Sequence, residues 1–255
     1  MISEYRKREI LKVIEEQGIV QISELAEICG VSEATIRRDL NSLDKEGAVR
    51  RTHGGAISFL DSSQEQPHRK KLELMKLEKM RIAQAAANMI SDGESIFLDS
   101  GTTTQAIAKH LERYKNLTVI TNNTSIIPVI KLHESSHLVI TGGMMRVGFN
   151  VLVGPTTEVF LKSIKIDKVF IGADAVDPRD GLYNSSLVEL MPKQLSVRCG
   201  RRRFLVTDSS KFGNKGLIKV CNLDEFDYII TDDGLSEESV ATIKEVTLKP
   251  EIILV

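Results

Sequence analysis

Long apolar runs, paired cysteines and an excess of basic charge are all missing from this sequence, and each absence closes off a class of protein. No stretch approaches the roughly 18 uninterrupted apolar residues of a membrane span. Met1-Ile2-Ser3-Glu4-Tyr5-Arg6 does not begin a secretory signal, so a cytoplasmic protein with no membrane partner is expected. The three cysteines, Cys29, Cys199 and Cys221, are odd in number, far apart and without metal-ligand spacing, which argues for reduced thiols rather than a disulfide framework or a zinc site. The net charge is −1, and through Ile57 nine Lys and Arg face ten Asp and Glu. Affinity for nucleic acid must then come from where charges sit, not from their sum.

What is present is a chain of 255 residues, 42% hydrophobic, with room for a small helical head and one α/β domain of ordinary size. The head is organised around Ser32-Glu33-Ala34-Thr35-Ile36-Arg37-Arg38-Asp39-Leu40. Ser32 is suited to cap the first turn of a helix, because its hydroxyl can accept from an unpaired N–H. At about 100° per residue Ile36, Leu40 and Leu43 fall on one stripe. Ala34, Arg38, Asn41 and Lys45 lie opposite, with Thr35 and Arg37 on the flanks, so one face is core and the other offers guanidinium, amide and hydroxyl groups.

Upstream, Gln21 to Cys29 reads as a short helix, and Gly30-Val31 separates it from Ser32 by a tight turn, which is helix-turn-helix spacing. Ser3 to Gln17 reads as a first helix, with Ile10, Leu11, Val13 and Ile14 facing the core and Gly18 ending it. Asp39 sits at the edge of the third helix's core face, where it either holds a first-helix arginine such as Arg6 or turns to solvent. Gly47 is expected to stop the third helix. Ala48 to Ile57 then reads as two short strands joined by a basic, glycine-containing tip, a wing.

These residues resemble the DNA-binding module of the DeoR family of bacterial sugar-responsive regulators. The family pattern is met by Arg6, Ile10, Ile14, Ser32, Thr35, Ile36, Arg37, Arg38, Asp39 and Leu40, and its wing by Arg51-Thr52-His53-Gly54-Gly55-Ala56. On a double-stranded operator, Arg37 or Arg38 would read guanine and Asn41 adenine in the major groove. Ser32, Thr35, Arg50, Arg51 and His53 would complete the DNA-contact set, with Ser32, Thr35 and the wing arginines on phosphates.

Periodicity fades after Ile57. The expected division is residues 1–57 as a winged helix-turn-helix domain, 58–72 as a linker and 73–255 as an effector domain, with Arg69-Lys70-Lys71 facing water or adding a contact to the DNA backbone. Glu73 to Ile90 reads as one helix. Beyond it, apolar runs at Ser95–Leu98, Leu117–Ile120, His137–Ile140, Lys168–Ile171, Arg203–Val206 and Asp227–Ile230 alternate with helical stretches, and Ile252–Val255 is a possible edge strand. Near-continuous apolar strands separated by helices imply a mainly parallel, Rossmann-like sheet covered on both faces, with ligands beyond the carboxyl ends of its strands.

Polar residues collect at those ends. Asp99-Ser100-Gly101-Thr102-Thr103-Thr104 brings hydroxyls and N–H groups to a helix start, an arrangement suited to phosphate or simply to capping. It has neither the spacing nor the lysine of a nucleotide-hydrolysing loop. Asn122, Gly142, Gly143, Arg146, Asp174 and Lys211 lie at or near other strand ends, while Glu189 and Lys193, standing alone, would be a surface ion pair. This part of the chain resembles the family's sugar-phosphate-sensing domain, similar in fold to ribose-5-phosphate isomerase. The resemblance implies that residues 99–104 hold phosphate and that Asp174, Glu189, Lys193 and Lys211 line the sugar end. Tyr183 and Asn184 replace two threonines common in the family, which leaves the sugar unspecified.

The expected protein is a non-enzymatic repressor of a sugar-metabolism operon, without cofactor or metal, acting as a homodimer or homotetramer. Two other readings stand beside it: a DNA-tethered sugar-phosphate isomerase using Asp174 or Glu189 as base, and a constitutive DNA binder whose second domain only oligomerises.

Overall fold

The computed structural model describes residues 3–17, 19–45, 49–51, 55–58, 68–214 and 216–255. Gly18, Gly47, the wing residues Thr52, His53 and Gly54, and linker positions 59–67 lie outside the described residues. Two compact units are formed, Met1–Glu65 and Gln66–Val255. Among the described residues no helix is long and apolar enough to cross a membrane, and Cys29, Cys199 and Cys221 are free thiols.

The first unit contains α1 (Ser3–Gln17), β1 (Ile19–Gln21), α2 (Ile22–Cys29), α3 (Glu33–Lys45), β2 (Val49–Arg51) and β3 (Gly55–Ser58). Ile10 and Ile14 of α1, Leu25 of α2, and Ile36, Leu40 and Leu43 of α3 are buried in one cluster with Val49 and Ala56 of the wing. Gly30 ends α2 in the left-handed region at φ 63°, and its N–H donates to the carbonyl of Glu27. Only glycine adopts that turn without strain. The wing strands pair antiparallel with Arg50 opposite Ile57 and Arg51 opposite Ala56. A third strand, β1, also pairs with β3, giving the order β1-β3-β2 that the sequence reading missed. Gly55 makes that pairing possible, since a Cβ there would stand 2.1 Å from the carbonyl oxygen of Val20.

In the second unit the elements are α4 (His68–Glu73), α5 (Lys76–Asn88), β4 (Ser95–Leu98), α6 (Thr102–Ala108), β5 (Thr118–Thr121), β6 (His137–Ile140), β7 (Met144–Arg146), β8 (Val151–Val153), α7 (Pro155–Lys162), β9 (Ile166–Ile171), β10 (Ala175–Asp177), β11 (Gly181–Asn184), α8 (Leu190–Cys199), β12 (Gly200–Val206), β13 (Ile218–Cys221), β14 (Tyr228–Thr231), α9 (Glu237–Val246) and β15 (Glu251–Leu254). Seven strands form one parallel sheet in the order β15-β14-β12-β9-β4-β5-β6. Successive side chains alternate faces: Ile96 and Leu98 pack with α5 and α6, while Phe97 faces the core that holds Leu161, Leu195 and Ile243 of α7, α8 and α9. Burial on both faces explains why the strands read as unbroken apolar runs. Phe170, Phe204 and Tyr228 stack across three adjacent strands at centroid spacings of 4.8 Å.

The strand order reverses at the β4–β9 pair, because β4 leads to β5 and β6 on one side while β9 leads to β12 on the other. This switch point places the ends of β4 and β9 beside each other, and crevices for ligands form at such points. The expected helix over Glu73–Ile90 is broken: α4 ends at Glu73 and α5 starts at Lys76, because Met75 adopts φ 50°. The six sequence-predicted strands all occur, and β15 is an edge, as β6 is at the other side, whereas the short antiparallel strands β7, β8, β10, β11 and β13 were not foreseen.

The core argument for α3 makes a direct prediction. Ile36→Ala should lower the opening free energy of first-unit core amides by about 2–5 kcal/mol in hydrogen exchange, while the exposed Arg38→Ala should stay within about 0.5 kcal/mol.

Candidate functional site

Two surfaces carry the expected chemistry, and each belongs to one unit. On α3 the Ser32 hydroxyl accepts from the Thr35 N–H at 3.3 Å and lies 3.0 Å from the Thr35 hydroxyl, so the cap that starts the helix also fixes two groups of the DNA-contact set. Ile36, Leu40 and Leu43 are buried, and Arg37, Arg38 and Asn41 are exposed. Arg37 donates to Glu33 one turn back at 3.2 Å, with both side chains about half exposed. Such a pair contributes little to stability and is easily given up. Arg38 has no ion-pair or hydrogen-bond partner among the described residues.

Asp39 turns inward. Arg6 donates to it from Nε at 2.5 Å and from Nη2 at 3.2 Å, a buried two-pronged pair between α1 and α3. The Asp39 carboxylate, by hydrogen bond and charge, holds the Arg6 guanidinium above its usual pKa against the effect of burial. Nearby, Lys7 Nζ donates to the Ser42 hydroxyl at 2.8 Å. Together these polar contacts set the roll of α3, which decides which arginines face outward. Arg50 and Arg51 lie on β2, and nothing is described of their side chains.

At the strand ends of the second unit, Asp99 leaves β4 and meets Lys193 of α8, whose ammonium donates to Asp99 Oδ2 at 2.5 Å and to the Gly172 carbonyl at 3.1 Å. The Gly172 N–H donates to the same carboxylate oxygen at 3.1 Å. Both side chains are nearly inaccessible, at 1% for Asp99 and 4% for Lys193. Burial pushes the Lys193 ammonium down, but Asp99, with Glu189 and Asp174 further off, holds it above the usual lysine value. Asp174, just past β9, accepts from Lys71 Nζ at 2.7 Å and from the Ser185 N–H at 3.0 Å. Burial raises its carboxyl, yet Lys71 and Lys193 hold it well below the carboxylate range. Glu189 accepts from Arg146, whose guanidinium also lies over the Phe149 ring at 4.3 Å. Three cations and three carboxylates thus interleave around Lys193.

Two expectations are corrected by this geometry. Glu189 and Lys193 are not a surface pair: both are buried, and each has a partner on another element. The run Arg69-Lys70-Lys71 does not face water as a whole, because Lys71 turns in to Asp174 while Arg69 and Lys70 stay exposed. The loop 99–104 spends part of its hydroxyl capacity on itself: the Thr104 hydroxyl donates to the Asp99 carbonyl at 2.6 Å, and Thr102 to the Lys71 carbonyl at 3.4 Å. Asn123 Nδ2 donates to the Gly101 carbonyl at 3.1 Å and pins the loop to the end of β5. Thr103 is buried, Ser100 is half-buried, and the Ser100 hydroxyl reaches Asp99 at 3.4 Å. Gly142 and Gly143 are tied elsewhere, to α7 and β8: Thr157 donates to the Gly142 carbonyl at 2.6 Å, and a Cβ on Gly143 would lie 2.7 Å from the Val153 carbonyl oxygen. Next to the loop, Asn122 Oδ1 is buried without a hydrogen-bond partner among the described residues.

Residues that sequence reasoning missed surround α4. His68 lies 2.9 Å from Gln105 Oε1 through its Nε2. Lys79 of α5 is 6% exposed and donates to the carbonyls of Lys71 at 2.6 Å and Leu74 at 2.7 Å. Burial lowers the Lys79 ammonium to about 8, with Asp208 opposing and Lys211 and Lys71 reinforcing the fall. Those influences place Lys211, half-buried and without an ion-pair partner among the described residues, in the same neighbourhood. Lys79 was legible in principle, since it falls on the helical stripe of Ile82, Ala83 and Ala86.

Comparison with known proteins follows the same division. Residues 6–62 match the DeoR-like helix-turn-helix domain and residues 75–233 the DeoR C terminal sensor domain. The chain is 37% identical over 239 residues to an uncharacterized HTH-type transcriptional regulator, YgbI, of Escherichia coli, covering 94% of this chain and 93% of that one. It is 32% identical over 228 residues to the glycerol-3-phosphate regulon repressor of Haemophilus influenzae, covering 89% of each. It is 32% identical over 253 residues to a putative aga operon transcriptional repressor of Escherichia coli O157:H7, covering 98% of this chain and 93% of that one. Among solved structures, ribose 5 phosphate isomerase A from Neisseria gonorrhoeae aligns with TM-score 0.37 and 12% identity over 54% of this chain and 53% of its own, too slight a likeness to carry an argument.

The buried pair at the centre of the strand-end site can be tested on its own. Lys193→Met, which leaves Asp99 buried and unpaired, should cost about 3–5 kcal/mol of second-unit stability. Adding Asp99→Asn should recover much of that loss in a double-mutant cycle read by hydrogen exchange of β4 and β9 amides.

Proposed function

This chain belongs to the DeoR family of helix-turn-helix transcriptional regulators, and on that footing we propose that it represses a sugar-metabolism operon, with a phosphorylated sugar modulating its grip on operator DNA. The first unit reads DNA. Arg38, outward and unpaired, contacts a guanine edge, and Arg37 exchanges Glu33 for a base or a phosphate; Asn41 reads adenine, while Ser32, Thr35, Arg50, Arg51 and His53 set register on the backbone. Single winged heads gain specificity by acting in pairs, so the regulator works as a dimer or tetramer.

The second unit senses. The observation that carries this reading is the interleaved set Lys71–Asp174, Lys193–Asp99 and Arg146–Glu189 at the switch point of the sheet. Cations suit a phosphate and carboxylates suit sugar hydroxyls, and here both are supplied by side chains held on regular elements. Around them Ser100, Gly101, Thr102, Thr103 and Asn122 supply neutral contacts, and Lys211 adds a further cation. The ligand changes DNA affinity because it prefers one arrangement of the protein over another.

A regulator rather than an isomerase also fits the charge states. A base that shuttles protons works best with a pKa near the working pH. Asp174 is instead held far down by Lys71, and Glu189 is occupied by Arg146.

Two measurements test the division of labour. A panel of sugar phosphates and their unphosphorylated parents should include one phosphorylated member that raises the melting temperature and alters affinity for the DNA upstream of the gene, with its parent inactive; a panel with no shift removes the sensing role. Arg38→Ala should lose about 1–3 kcal/mol of sequence discrimination while keeping that thermal shift. If instead binding weakens uniformly and the salt slope drops by about 1, Arg38 is a phosphate contact.

A further inference from the structure

The six charges of the strand-end site are balanced before any ligand arrives. Asp99, Asp174 and Glu189 each hold one cation, so a doubly charged phosphate group can enter only by taking a cation from a carboxylate or by meeting one that is spare. The three pairs are not equally available. Lys193–Asp99 is exposed by 4% and 1%, Arg146–Glu189 by 18% and 9%, and Lys71–Asp174 by 24% and 17%. Water reaches the last pair most easily, so exchanging its partners carries the smallest desolvation cost.

Lys71 also sits where a phosphate is expected. Its backbone carbonyl accepts from the Thr102 hydroxyl in the loop after β4, while its ammonium reaches across to Asp174 after β9. His68, Lys79 and Lys211 crowd the same neighbourhood: Lys71 and Lys79 both depress the His68 imidazole, which burial lowers first, and Lys211 depresses Lys79. Against this concentration of positive charge the acidic groups are Asp174 and Asp208, with Glu78 further along α5.

The strap that carries Lys71 is built to shift. α4 has six residues, and only His68 in it is buried; Leu72 and Leu74 are half-buried and belong to neither core of the unit. What holds it is polar: His68 to Gln105, Thr102 and Lys79 to the Lys71 carbonyl, Lys79 to the Leu74 carbonyl, and Lys71 to Asp174. Met75 at φ 50° separates it from α5, a conformation that a non-glycine residue adopts at a cost. Elements held by few apolar contacts are the ones that open or move first.

We propose that Lys71 is the exchangeable cation of this site: an anionic ligand takes it over from Asp174, Asp174 is freed to accept the ligand's hydroxyls, and the strap α4 re-seats as its lysine changes partner. α4 begins inside the stretch 58–72 expected as the linker, so its re-seating acts on the chain that leads to the DNA-reading unit. The inference rests on the sugar-phosphate reading above and adds the residue and element through which that ligand acts.

The test is a calorimetric cycle with inorganic phosphate on the full-length wild type, Lys71→Met, Asp174→Asn and the double variant. Lys71→Met should bind phosphate roughly 10- to 100-fold more weakly, the worth of one charge-assisted hydrogen bond. Asp174→Asn should bind it more tightly, and the double variant no more tightly than Lys71→Met alone, because the gain requires Lys71. Hydrogen exchange of residues 69–74 should change when phosphate saturates the wild type and should not change in Lys71→Met. The proposal is overturned if Lys71→Met binds as the wild type does, if Asp174→Asn gains equally with or without Lys71, or if residues 69–74 are unaffected at saturation. Those results, with phosphate still bound and residues 99–104 protected, leave the sensing role intact; no phosphate binding by any of the four proteins overturns both.

Discussion

Burying Lys193 against Asp99 is the constraint on which the second unit is arranged. Taking two opposite charges out of water costs several kcal/mol each, and their attraction offsets that cost only when the geometry is close and the remaining hydrogen-bonding capacity is used. Here the ammonium also donates to the Gly172 carbonyl, and the carboxylate also accepts from the Gly172 N–H. The end of β4, the end of β9 and helix α8 must therefore meet at one point. The register of the sheet supplies this meeting: Leu98 lies beside Phe170, so the chains leaving β4 and β9 run on side by side. The parallel sheet reverses its order at this pair, where crevices for ligands form, and the buried ion pair lies at that point. The other two pairs are progressively more exposed, Arg146–Glu189 and then Lys71–Asp174.

The head uses the same device for a different end. Arg6 and Asp39 join α1 to α3 by a buried two-pronged contact, and the apolar stripe of Ile36, Leu40 and Leu43 fixes the rest of the helix. An apolar stripe alone tolerates some rotation of a helix about its axis. A directional hydrogen-bonded pair narrows that freedom, and the positions of Arg37 and Arg38 follow from it. Stability and recognition are thus coupled through the roll of one helix.

Much of this was legible in the sequence, and the parts that were not have a common cause. The central strands could be read because burial on both faces leaves continuous apolar runs such as Lys168-Val169-Phe170-Ile171. The third helix could be read from its cap and its stripe. Short antiparallel strands such as Met144–Arg146 and Ala175–Asp177 carry too few residues to show alternation, and β1 becomes a strand only because Gly55 lets β3 approach it. Pairing between charges was the least visible. Lys71 and Asp174 are 103 residues apart, and Lys193 and Asp99 are 94 apart. Local spacing instead pointed to Glu189 and Lys193, which lie one helical turn apart in sequence but fall on either side of the start of α8. Lys79 is the instructive exception, because an ammonium on an apolar helical stripe announces a buried charge that needs carbonyl partners.

Matched charges suit the sensing reading better than the isomerase reading. Moving a proton requires a base with a pKa near the working pH, and Asp174 is held well below the carboxylate range by Lys71 and Lys193. Sensing requires that the empty state be stable and that the ligand replace contacts rather than only add them, since a ligand that binds two arrangements equally shifts nothing. Lys71 satisfies Asp174 and, through the same residue's carbonyl, receives Thr102 and Lys79. On the proposed exchange, the ligand's phosphate would pair the Lys71 ammonium and its sugar hydroxyls the Asp174 carboxylate, so the strap would be disturbed without leaving either charge unpaired.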